Sequence, residues 1–77
     1  MNPRVKKVIA NSNYSLTITF TDNKVKIFDV KPYLEIGNFK ELKDLSIFYS
    51  VKPFLGSIQW NNGLDLCPDT LYLEGKS

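Results

Sequence analysis

The side chains with most chemistry to offer gather in the last quarter of this chain, where Trp60-Asn61-Asn62-Gly63 is followed by Asp65, Cys67, Asp69, Thr70 and Tyr72. Asp65 and Asp69 have the spacing to share a divalent cation or to divide acid–base work, because paired carboxylates supply both oxygen ligands and a proton acceptor. Carboxylates beside a turn more often cap helix ends or face water. Cys67 directly precedes Pro68, at an expected helix N-cap where exposed backbone N–H groups favour anions. The sharp reading there is a reactive thiol; a small, semi-buried packing residue is the commoner outcome for a free cysteine. Trp60, Asn61, Asp65, Thr70 and Tyr72 together would make a shallow polar–aromatic pocket. In the competing reading Trp60 and Tyr72 plug the end of the core while Asp65 caps a turn.

What the chain lacks narrows the chemistry further. It has no histidine, the usual general base and the commonest metal ligand. One cysteine cannot build a zinc site or an internal disulfide. Gly37, Gly56, Gly63 and Gly75 fit neither phosphate-loop nor dinucleotide-loop spacing. The expectation is a protein that is not an enzyme, with no catalytic residue, no cofactor and no resident metal. Aromatic and basic residues interleave around Lys26-Ile27-Phe28, Phe39-Lys40 and Tyr49 to Lys52, a pattern able to stack bases. A chain of 77 residues has to spend Phe28 and Phe39 on its core instead.

Ten basic and eight acidic side chains leave a net charge of +2, spread along the whole length. A dedicated nucleic-acid domain concentrates its positive charge, so direct nucleic-acid binding is not expected. No apolar run approaches the roughly 20 residues that a membrane helix needs. The apolar stretch after Arg4, Lys6 and Lys7 is too short for an export signal, and the single cysteine suits a reducing compartment. The expected location is the cytoplasm, without membrane association.

The elements that must position these residues follow from periodicity. Tyr14, Leu16, Ile18 and Phe20 alternate with Ser15, Thr17, Thr19 and Thr21, the period-two signature of a strand. Residues 4–10 and 24–30 are strand-like on either side. Asn11-Ser12-Asn13 and Thr21-Asp22-Asn23 serve as turns, the asparagines accepting left-handed backbone. A three-stranded antiparallel meander results, its apolar face expected to carry Tyr14, Leu16, Ile18, Phe20, Val25 and Ile27. Pro32 should open a helical turn that Gly37 closes. A helix capped by Asn38 and carrying Phe39, Leu42 and Leu45 is the expected cover, and Asp44 should cap a further turn over residues 46–50. Residues 51–55 and 57–60 read as extended on either side of Gly56 and are expected to prolong the sheet. Asn61-Asn62-Gly63 is a tight turn before an extended Leu64-Asp65-Leu66, and Pro68 seeds a final turn through Leu73. The fold class is therefore α+β: a small antiparallel sheet, meander plus short C-terminal strands, covered by one or two short helices in a single domain spanning residues 1–77.

The run Ile58-Gln59-Trp60-Asn61-Asn62-Gly63-Leu64-Asp65-Leu66, followed by Pro68-Asp69-Thr70-Leu71-Tyr72, resembles the C-terminal signature of the bacterial domain-of-unknown-function family numbered 2442. In that family a strand ending in Trp, a polar residue, Asn and Gly leads to an Asp and then a Thr-Leu-Tyr stretch. The alternating first strands and the Phe28-Asp29-Val30 entry before a proline agree, so the resemblance covers nearly the whole chain. Asn62, Leu64 and Cys67 depart from the pattern and put side-chain roles, not the fold, in question. The resemblance implies a context, not an activity. What it implies is that related domains are often encoded beside a second small uncharacterised protein, in an arrangement similar to toxin–antitoxin pairs, and that some precede a helix-turn-helix DNA-binding domain. The expected function is an interaction module, an antitoxin-like or regulatory partner subunit bound to a neighbour-encoded small protein, with homo-oligomers as a further possibility. Its candidate surface is Trp60, Asn61, Asn62, Gly63, Asp65, Thr70 and Tyr72, or an open sheet edge. The alternative is a small-ligand-sensing domain of a transcriptional regulator, and a third reading has no site beyond the core.

Overall fold

Alternation of small polar and branched apolar residues builds the first sheet as its sequence foretells. The computed structural model of the chain describes residues 2–76. In it β1 (Val5–Ala10), β2 (Ser15–Phe20) and β3 (Val25–Asp29) pair antiparallel in the order β1-β2-β3. Both hairpins use a three-residue loop whose last residue is left-handed, Tyr14 at φ 62° in the first and Asn23 at φ 69° in the second. In the first loop that strained role falls to Tyr14 rather than to the asparagines of Asn11-Ser12-Asn13. The ring of Tyr14 packs 5.2 Å from that of Phe48 and its hydroxyl donates to the carbonyl of Lys43, so core packing holds the backbone in place.

The second loop corrects the expected apolar face. The N–H of Phe20 donates to the carbonyl of Lys24, which sets Thr19 opposite Val25, Thr17 opposite Ile27 and Leu16 opposite Phe28. Residues directly opposed share a face. Leu16, Ile18, Phe20 and Phe28 therefore point into the core, whereas Val25 and Ile27 turn outward and stay about half exposed. Lys26 takes the inward side of β3. Its Nζ donates to the carbonyl of Tyr72 at 2.7 Å and lies 4.1 Å from the centroid of that ring, so the stem covers apolar surface while the charge meets a helix C-terminus.

After β3 comes a 3₁₀ turn, Lys31–Tyr33, with Pro32 as its second residue, one place later than the opening position expected of it. Gly37 lies at φ 48° but opens a second 3₁₀ segment, Gly37–Lys43, with no side-chain cap. The expected Asn38-capped α-helix is thus replaced by a tighter spiral, which brings Leu42 into the core. Asp44 does cap α1 (Leu45–Phe48), accepting from the N–H of Ser46 at 3.0 Å.

The later strands form a sheet of their own instead of prolonging the meander: β4 (Lys52–Phe54), β5 (Ser57–Gln59) and β6 (Asp65–Leu66), antiparallel in the order β4-β5-β6. β4 lies alongside β1, and the N–H of Val5 donates to the carbonyl of Gly56 at 2.9 Å. Proline at position 53 withholds one ladder donor, which suits so short an outer strand. The chain ends in α2 (Pro68–Glu74) and a single antiparallel bridge between Lys76 and Ile27. Gly75 is required between them, because a Cβ there would stand 2.6 Å from the carbonyl oxygen of Leu71. One core joins both sheets and both helices, with Trp60, Phe20, Phe28, Phe48, Leu42, Ile58 and Leu71 fully buried. Each such side chain stabilises the fold by about 1.5–3 kcal/mol relative to exposure.

Candidate protein-binding surface

The expected C-terminal group is dispersed by the fold. Trp60 is inside, 1% exposed, with its Nε1–H donating to the carbonyl of Phe48 at 3.1 Å and its ring stacked on that of Phe48. As a surface residue it is a correction: the indole has both an apolar cage and a partner for its single polar atom. Asn61 and Asn62 shape the loop before β6. The N–H of Asn61 donates to Ser50 Oγ, Asn62 Oδ1 accepts from the N–H of Leu64, and Asn62 Nδ2 reaches Glu41 at 3.1 Å. Gly63 supplies the left-handed turn at φ 89°. Tyr72 sits elsewhere, edge-on to Phe20 with its hydroxyl donating to Asp22 at 3.0 Å. Thr70 is half-buried on α2, and Asp65 is exposed on β6. Trp60 and Tyr72 do not meet across a pocket.

Asp65 does line a groove. Phe54, Leu55, Ser57, Ile58, Asp65, Leu66, Cys67 and Pro68 enclose about 300 Å³ on the surface of the second sheet. Cys67 is exposed here, at the N-cap of α2 but without a side-chain cap bond, so the semi-buried thiol expected from its type is not found. Ser57 Oγ donates to the carbonyl of Leu66 and ties β5 to β6 at the groove floor.

The wall of this groove is the β4–β5 hairpin. Phe54 pairs with Ser57, leaving Leu55 and Gly56 as a two-residue loop at φ 51° and φ 83°. Both residues left-handed is the type I′ geometry, which asparagine and glycine fill best. Leucine in that region costs on the order of 1–2 kcal/mol. Tyr14 bears the same conformation but recovers it through packing, whereas Leu55 is 83% exposed. Phe54 beside it is also exposed. The sequence carried a signal for this site in Leu-Gly set between two extended runs, a hairpin loop with the wrong residue type at its first position.

Charge around the fold is held by local contacts. The Asp22 carboxyl lies below its usual range because the N–H of Lys24 and then the Tyr72 hydroxyl donate to it. The Ser46 hydroxyl and N–H do the same for Asp44, and Lys43 for Glu35. Burial, followed by its hydrogen bond to Glu74, pushes the Tyr33 phenol up. Among the described residues no three Cys, Asp or Glu side chains gather as metal ligands, and Asp69 accepts from Asn2. No helix of the described residues is long and apolar enough to cross a membrane.

A family model described as a protein of unknown function, DUF2442, matches residues 5–77. The chain belongs to that family. The match spans both sheets and α2, so the hairpin tip and the groove lie within the family's domain and not in an appendage to it. Among curated proteins and among solved structures, none matches the chain.

Proposed function

We propose that this member of the DUF2442 family is a non-catalytic, cytoplasmic protein-binding module, an antitoxin-like or regulatory partner subunit, that engages its partner through the Phe54–Leu55 tip and the groove behind it. The observation that carries this reading is Leu55, an apolar side chain held in left-handed backbone and left 83% exposed. Strain of that kind persists where it serves a function and the surrounding structure enforces it. A partner that covers Leu55 and Phe54 recovers about 1.5–3 kcal/mol for each side chain fully buried, the usual currency of an interface anchor. The open groove beside the tip, bordered by Phe54, Leu55, Cys67 and Pro68, offers the partner a place for a side chain of its own. A small-ligand sensor built on Trp60 and Tyr72 has less support, since those rings face different parts of the core.

A photoreactive amino acid placed at position 54 and activated in the native host tests the proposal. The expected product is a cross-link to a small protein encoded beside this one. A chain that stays uncross-linked and strictly monomeric under those conditions overturns it.

A further inference from the structure

Asn62 and Gly63 form the one Asn–Gly pair in the sequence, the pairing in which an asparagine loses its side-chain amide most readily. The reaction needs no enzyme. The backbone nitrogen of the following residue gives up its proton and attacks the side-chain amide carbon. An N–C bond forms, the bond from Cγ to Nδ2 breaks, and ammonia leaves with the released proton. Water then opens the succinimide ring to aspartate or to isoaspartate. A following glycine favours the attack because no Cβ shields its nitrogen or restricts its backbone. The pair lies in the turn between β5 and β6, where Asn62 is half-buried and Gly63 exposed.

Each group in that reaction is engaged elsewhere in the folded chain. The N–H of Gly63 donates to the carbonyl of Trp60 at 3.0 Å, so the proton that has to leave sits in a hydrogen bond. Asn62 Oδ1 accepts from the N–H of Leu64 at 3.1 Å and Nδ2 donates to Glu41 at 3.1 Å, which fixes the side-chain amide at both ends. The turn is closed by the N–H of Trp60 donating to the carbonyl of Leu64 at 2.9 Å, and the Trp60 indole is itself anchored on Phe48. Bringing the amide carbon onto the Gly63 nitrogen requires the contacts to Leu64 and Glu41 to break.

We propose that Asn62 is a spontaneous deamidation site that the folded turn keeps latent, with Glu41 as its latch and water as the only co-reactant. Local opening of the turn sets the rate, because chemistry on a protected group runs through the open population. The product does not latch again. A carboxylate at position 62 has no N–H to donate and meets the Glu41 carboxylate where the amide stood. Isoaspartate also lengthens the main chain by a methylene, next to a residue that has to hold φ 89°. An opening that reacts is thereby converted into a lasting loosening of the turn that leads into Asp65 and the groove.

The test ages the full chain at mildly alkaline pH, in native buffer and in guanidinium chloride, with peptide mapping by mass spectrometry to locate each exchange of NH2 for OH. In denaturant Asn62 is expected to convert first among the asparagines, and at least about tenfold faster than in the native chain. Glu41→Ala should raise the native rate about threefold and leave the rate in denaturant unchanged. Glu41→Gln keeps the acceptor oxygen and should behave as wild type. Asn62→Asp, which reproduces one product, should unfold at lower denaturant at neutral pH and recover part of that loss when both carboxyls are protonated. Equal rates at Asn62 in the native and denatured chains, earlier conversion of another asparagine in denaturant, a Glu41→Ala rate equal to wild type, or an Asn62→Asp chain as stable as wild type would each overturn the inference.

Discussion

Trp60 and Phe48 are joined twice, by an indole N–H to carbonyl hydrogen bond of 3.1 Å and by rings whose centroids stack 6.4 Å apart. The pair clamps β5 to α1, elements separated by the whole of β4, and so anchors the second sheet to the core. Phe39 closes the cage from the 3₁₀ segment, edge-on to Trp60.

Replacing Trp60 with Phe should keep the fold but lose the hydrogen bond and leave a void. The expected cost is about 2–3 kcal/mol, a fall in melting temperature of roughly 10–20 °C for a domain this small. Urea unfolding should show a lower midpoint with an unchanged slope.

Lys26 separates a charge effect from a packing effect. Lys26→Met keeps the stem over the core and loses the ammonium contact with the Tyr72 ring and carbonyl, an expected cost of about 1 kcal/mol. Lys26→Ala removes the stem as well and should cost about twice that. Equal effects in a denaturant series would show that the stem contributes nothing.

Stability should fall at both ends of the pH scale. The carboxyls of Asp22, Glu35 and Asp44 titrate lower in the folded chain than their ordinary values of 3.8, 4.5 and 3.8, so their contribution is present above those values and is lost as the pH falls through the lowered ones. The Tyr33 phenol titrates above 10.0, so its contribution is complete below that value and is lost as the pH rises through the raised one. Melting temperature against pH should be flat near neutrality and decline on both limbs. Asp22→Asn and Asp44→Asn should shallow the acid limb, and Tyr33→Phe the alkaline one.

The meander was legible because Leu16, Ile18 and Phe20 are apolar without exception while their neighbours are Ser and Thr. In β3 both alternating sets hold apolar residues, Val25 and Ile27 against Phe28, and only the three-residue loop ending in Asn23 decides which set faces in. The short 3₁₀ spiral where a helix was expected reflects a segment fixed by burying Leu42 rather than by its own periodicity. The candidate surface failed in part for a related reason. Trp60, Asn62 and Tyr72 bear the groups typical of a binding site, and each spends them on the fold. Leu55 offers no chemistry at all in sequence and becomes conspicuous only when its backbone angle and exposure are known together.

Leu55→Asn should make the protein more stable. Asparagine accepts left-handed backbone at the first position of a type I′ loop, and little burial is lost from a side chain already in water. The expected gain is roughly 1 kcal/mol, or about 4–8 °C in melting temperature. A loss of stability would mean that Leu55 packs in a way its exposure does not reveal.

The same substitution puts the binding role to its most direct test. Under the proposed function, tagged wild-type and Leu55→Asn chains, expressed in the native host at equal levels, should differ in the amount of partner protein recovered with them. Recovery with wild type and loss of most of it with Leu55→Asn is the expected result. Undiminished recovery with the variant would contradict the assignment of the hairpin tip as the binding element.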